Sequence, residues 1–315
     1  MRSYRLAVLA FVFFLPFIIV RGQTPDSARK YLQQGIKNFA EGNLAVAFED
    51  YSRAIQISSR LESGKDAASD PSKANSFDSS NSAERVTVID PFTAVAYTHR
   101  GIVRYRQNDL DGAIADFNAA IRISPRLSEA YLGRGVAYTV KGDLDKARAD
   151  FDRAIAINGR LTEAYASRAE LRMNKRDLDG AAEDLERALK INPRLAELHY
   201  LLGHLSLEKR EFEKSKSSFD RAVQLKPQMA ASHHGRGTAR MALSQFDQAI
   251  ADFTRALELN PELTNSYMNR GLAHLLRYED AAAQKDFDAC LALNPALKAE
   301  LESRIELAKE LRTKR

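Results

Sequence analysis

Apolar and small residues recur along most of this chain at intervals of three and four. Tyr131, Gly135 and Tyr138 stand at i, i+4 and i+7, one face of a helix, and Ala147, Phe151 and Ala154 repeat that spacing on a second helix. Between the two runs, Gly142-Asp143 supplies a residue that tolerates positive φ and then a capping carboxylate. The pattern predicts two helices joined by a tight turn. Gly135 is expected where a side chain of the facing helix comes close to the backbone.

This pair returns every 34 residues. Tyr97, Tyr131, Tyr165, His199, His233 and Tyr267 share one position, and Ala113, Ala147, Ala181, Ala249 and Ala283 another. An aromatic recurs at Phe117, Phe151, Phe219, Phe253 and Phe287, and a closing proline at Pro125, Pro193, Pro227, Pro261 and Pro295. Repeats therefore fill 94–127, 128–161, 162–195, 196–229, 230–263 and 264–297, with a further one at 28–61. Proline ends the second helix of each because it cannot continue the hydrogen-bond ladder. Departures are local: Gly159 stands for the proline, Leu185 for the aromatic, and Ser215 and Cys290 for core alanines.

The frame of aromatic, Gly, Tyr, Ala, Phe, Ala and Pro resembles the tetratricopeptide repeat. That resemblance implies an all-α fold, a right-handed α-solenoid of seven stacked helix pairs with a concave groove. It implies a scaffold and no particular chemistry. Positions 2, 5, 9, 12 and 13 of each repeat would form the groove. They are mostly apolar here, and Leu132, Val136, Val140, Met173, Leu207, Met241, Met268 and Leu272 are the expected seat of a partner helix or extended peptide. The Lys and Asn with which some relatives grip a C-terminal carboxylate are missing. Thr98 and Ile102, for example, occupy those places in the second repeat.

Two segments stand apart from the array. Residues 62–88 are rich in Ser, Asp, Lys and Asn and too poor in apolar residues to offset the entropy of ordering. Ile89-Asp90-Pro91 then restores a repeat ending, so 62–93 reads as a flexible insertion after the first repeat. Residues 298–315 form one more amphipathic helix, striped by Leu301, Ile305, Ala308 and Leu311, as expected of a cap over the last exposed core.

The N-terminus reads as an address. A basic start with Arg2 and Arg5 precedes Leu6–Val20, which carries no charge, and small or β-branched residues follow at Val20 and Gly22. Basic region, apolar run and cleavage site together predict a signal peptide over 1–22 and an extracytoplasmic body, periplasmic or secreted. The run is shorter than the roughly 20 residues of a membrane-spanning helix and contains Pro16. The alternative is an uncleaved segment anchoring the body to the membrane.

Charge and composition narrow the chemistry. The net charge of +5 includes Arg2, Arg5 and Arg21, and removing these leaves +2, which says little about nucleic acid. Along the groove positions only Arg29 and Arg106 are basic, against Glu129, Glu163, Glu170, Glu197 and Glu208, the reverse of what a phosphate backbone requires. Arg100, Arg134, Arg168, Arg236 and Arg270 share a repeat position, and each is followed sixteen residues later by Asp116, Asp150, Asp184, Asp252 or Asp286. The fifth repeat loses both members, with Leu202 and Ser218, while the first keeps Asp50 opposite Gln34. Joint presence and joint loss predict structural ion pairs between the two helices of a repeat.

One cysteine excludes a disulfide framework, and Cys290 sits at a small-residue core position where an inert thiol is expected. His204, Glu208 and His234 could converge as a metal trio, but helices of this composition produce such trios by chance. HExxH, GxSxG and phosphate-loop motifs are all missing from the sequence. The expected function is a non-catalytic scaffold or adaptor for another protein, with no cofactor, metal or nucleic acid.

Overall fold

The computed structural model describes residues 26–62 and 91–313. The expected signal peptide, and residues 63–90 of the insertion, lie outside these residues. The described chain is helical: α1 Asp26–Ala40, α2 Leu44–Glu62, α3 Pro91–Arg106, α4 Leu110–Ile123, α5 Ser128–Lys141, α6 Leu144–Ile157, α7 Thr162–Asn174, α8 Leu178–Ile191, α9 Ala196–Glu208, α10 Phe212–Leu225, α11 Ala230–Ala242, α12 Phe246–Leu259, α13 Thr264–Leu276, α14 Asp280–Leu293 and α15 Lys298–Thr313. It divides into two compact units, one ending at Leu171 and the other beginning at Arg172. Within each unit successive helices stack in antiparallel pairs. None of these helices is long and apolar enough to cross a membrane.

α3 starts at Pro91, so residues 91–93, read above as the end of the insertion, already belong to a helix. Proline suits the first helical turn, where its missing N–H has no partner to lose. The turn inside each repeat closes in one way throughout. Gly42 and Gly142 take φ of 82° and 90°, and Asn108, Arg176, Arg210, Ser244 and Tyr278 take the same left-handed conformation. After α9, for instance, Arg210 N–H donates to Leu207 O (3.0 Å) and Glu211 N–H to Ser206 O (2.8 Å), satisfying the last carbonyls of the helix.

The core is built from aromatic rings on the second helices pressed against bare backbone on the first. Phe117 is buried between Gly101 of its own repeat and Gly133 of the next, and a Cβ at Gly133 would lie 2.5 Å from Phe117 Cε1. Phe219 sits in the same way between Gly203 and Gly235. A Cβ at Gly135 would lie 2.6 Å from Phe151 Cε1, the close approach read from sequence. The local departures fit. Leu185 is fully buried, and the Ser215 hydroxyl donates to Gly203 O at 2.8 Å.

α15 covers the end of the C-terminal unit, with Leu301 and Ala308 joining Met268, Leu272, Phe287 and Cys290 in one cluster. Leu311 departs from its expected place on that stripe and is half exposed. The last turn is held instead by Arg312, which stacks 4.1 Å over Tyr278 and pairs with Asp280.

Candidate functional site

The arginine and aspartate rows form a ladder through the helix pairs. Asp116, Asp150, Asp252 and Asp286 are buried, and each is held by two guanidinium nitrogens, Nε and Nη2, of the arginine sixteen residues earlier. Nη2 lies 2.7 Å from the carboxylate in Arg100–Asp116, Arg134–Asp150 and Arg270–Asp286, and 2.6 Å in Arg236–Asp252. The remaining Nη1 reaches back to the previous second helix: to Ser52 from Arg100, Asn118 from Arg134, Asp220 from Arg236 and Thr254 from Arg270. Each arginine thus ties three helices. Arg168 lies in the N-terminal unit, where it holds Asp152 at 2.6 Å, and Asp184 in the C-terminal unit, where Arg172 holds it at 3.0 Å.

A second arginine row was not read from the sequence. Arg104, Arg172 and Arg240 contact Asp116, Asp184 and Asp252 from one turn further along, and also reach the carbonyls of Gly112, Gly180 and Gln248. Their recurrence at twice the repeat length is the signal that would have revealed them. In the first repeat the same place is Asn38, whose amide donates to Asp50 at 2.7 Å. Gln34, the expected neighbour of Asp50, is exposed. Asn38 lies one helical turn further along α1 and is buried against Asp50.

The aromatic or imidazole position also has a defined task. Tyr131 and Tyr165 donate through their hydroxyls to Pro125 O and Gly159 O, six residues upstream. His199 and His233 reach Pro193 O and Pro227 O through Nε2 at 2.9 Å, which requires the proton on Nε2. Tyrosine and histidine interchange here because both place a donor against the turn carbonyl.

The expected groove residues separate into two groups. Leu132 and Val136 belong to the core around Phe151, Met268 and Leu272 to the core under α15, and Met173 is only 4% exposed. These five are structural and are corrected from partner-binding to core. At their positions the first helices of adjacent repeats approach one another, as α9 and α11 or α11 and α13 do, and side chains between them lose their exposure. Val140, Leu207 and Met241 keep part of their surface.

The acids on this face are partly engaged. Glu197 pairs with Lys226 at 2.9 Å and Glu208 with Arg176 at 3.0 Å. Burial, with the neighbouring Glu129, raises the Glu163 carboxyl above its ordinary range. His204, packed edge-on to Tyr200 and Phe219, is pushed down to about 3 by burial and by His234. His234, bonded to Ser266 Oγ at 2.8 Å, is pushed down to about 4 by burial. Among the described residues no group of three or more His, Cys, Asp or Glu is arranged to hold a metal ion.

Helix pairs of fixed length, an aromatic wedged between glycines and an ion-pair ladder define a helical-repeat protein. Tetratricopeptide-repeat sequence profiles match residues 98–161, 167–230 and 230–263, together just over half of the chain, and the chain belongs to that family. Its members are scaffolds for protein–protein interaction. Solved structures share the fold. A tetratricopeptide repeat protein from Parabacteroides merdae aligns over 90% of this chain and 100% of its own, at 18% identity and TM-score 0.58. Pseudomonas aeruginosa pilF covers 68% of this chain and 97% of its own, at 14% identity and TM-score 0.61. Yeast Tom70 covers 98% and 70%, at 18% identity and TM-score 0.54. No curated protein matches the sequence significantly.

Proposed function

We propose that this protein is a non-catalytic adaptor acting outside the cytoplasm, binding a helix or extended segment of a partner protein on the face formed by the first helices of its repeats. The observation that carries this reading is the row left open there. Leu207 on α9 and Met241 on α11 hold the same position in consecutive repeats and remain partly exposed, while the residues beneath them are core. An apolar segment laid along that row would remove it from water. The uncharged run Leu6–Val20 supports export, with a membrane-anchored receptor or assembly factor as the second reading. N-terminal sequencing of the protein purified from its own envelope separates the two.

The test is charge insertion on the open row. Leu207→Glu or Met241→Glu forces an unpaired carboxylate into the interface and should weaken partner capture by more than about a hundredfold, with helicity unchanged. Arg255→Ala, on the second helix of its repeat, should leave binding intact. Normal binding by both groove variants would place the site elsewhere.

A further inference from the structure

The edge of the N-terminal unit that carries the turns between repeats holds a row of arginines used by neither the ladder nor the groove. Arg122 closes α4, Arg126 lies in the α4–α5 turn, Arg153 is on α6, and Arg160 lies in the α6–α7 turn. All four are exposed. None forms an ion pair among the described residues, whereas the opposite edge, at the turns inside the repeats, has its charges matched. There Lys141 pairs with Asp111 and Lys146 with Asp143. Arg126 and Arg160 occupy one repeat position, so they face the same way in successive repeats. Glu129 and Glu163 lie three residues further on, inside the helices. Glu129 accepts from Ser128 Oγ and Glu163 is half-buried, so two carboxylates stand against four exposed guanidinium groups and the edge keeps an excess of positive charge.

We propose that this edge binds an anionic lipid surface. A ridge of exposed guanidinium groups suits a layer of phosphate headgroups, since each arginine is attracted on its own and none needs a shaped pocket. A protein partner would require an apolar or aromatic anchor, but the apolar residues beside Arg122 and Arg126, Ile121, Ile123 and Leu127, are packed against the cluster of Ala94, Ala120 and Ala130. Single-stranded nucleic acid would require free aromatic faces, and the nearby Tyr131 ring is already covered by Arg134 at 5.5 Å and Arg153 at 6.0 Å. An export signal or membrane anchor at Leu6–Val20, as proposed above, would bring the body of the protein to a bilayer.

The test is co-sedimentation of the full chain with phosphatidylcholine vesicles and with vesicles containing about 30% phosphatidylglycerol, the neutral vesicles setting the baseline for the N-terminal apolar run. Binding should rise on the anionic vesicles and return to baseline at about 0.5 M salt. Arg126→Gln/Arg160→Gln should lower the anionic increment by about 25-fold, about fivefold per arginine. Arg255→Gln, which removes a cation already paired with Glu258 at 2.8 Å, should not change it. Circular dichroism checks that the variants stay folded. Equal binding to both vesicles, an unchanged double variant, or binding to a duplex DNA probe without binding to anionic vesicles would each overturn the proposal.

Discussion

Seven turns inside the repeats adopt left-handed backbone, and five of them do so with a side chain in place, at φ between 59° and 64°. For such residues the Cβ crowds the carbonyl oxygen, at roughly 1–2 kcal/mol. The capping hydrogen bonds return enough to keep the conformation, so these positions carry removable strain. Arg210 is exposed and contributes its backbone N–H to the cap. Arg210→Gly should therefore stabilise the fold by about 0.5–1 kcal/mol, the relief being partly offset by a more flexible unfolded chain. Urea denaturation of the two proteins, read as the midpoint at constant slope, checks this. A lower midpoint for the glycine variant would mean that the Arg210 side chain does more than occupy the turn.

Between elements, the ladder decides how firmly helices are held in register. Asp150 is buried and receives Arg134 on both oxygens, at 2.7 and 2.8 Å. Asp150→Ala would leave that guanidinium partly buried without its carboxylate and should cost about 3 kcal/mol by chemical denaturation. Arg134→Met/Asp150→Leu, which removes both charges, should cost less than the single change. A double variant as unstable as the single would show that the pair contributes net stability of its own.

This ladder also shows where sequence reading runs out. The first arginine row is legible because Arg and Asp are present together in five repeats and lost together in Leu202 and Ser218. Arg104, Arg172 and Arg240 alternate with Tyr138, Ser206 and His274, so a search at 34 residues passes over them. The helix pairs themselves follow from local spacing and turn chemistry. The accessible surface is harder to read, because residues at one repeat position differ in exposure: Met173 and Leu207 are 34 residues apart, yet Met173 is 4% exposed and Leu207 keeps part of its surface.

Over the whole molecule, buried imidazoles make stability depend on pH, and unequally in the two units. His204 and His234 lie in the C-terminal unit and titrate near 3 and 4. His99, stacked on Tyr51 at 5.4 Å in the N-terminal unit, is lowered by burial to about 4. Unfolding returns each to about 6.5, so below that value the unfolded chain binds more protons than the folded one. Their contribution is complete above pH 6.5 and is lost as pH falls towards 4. Between pH 7.5 and 5.5 the loss is on the order of 1 kcal/mol for each histidine. Glu163, raised above its ordinary value, acts in the opposite sense in the N-terminal unit: its neutral form is the one favoured on folding, so it adds stability as pH falls through its folded value. The C-terminal unit should therefore loosen first on mild acidification. Hydrogen exchange at pH 7.5 and 5.5, corrected for the intrinsic rate and followed by peptide mapping, should show the larger loss of protection after Arg172. His204→Leu should reduce that loss by about half, since one of the two titrating rings is gone. Equal loss in both units, or an unchanged response in the leucine variant, would mean that other groups govern the acid sensitivity.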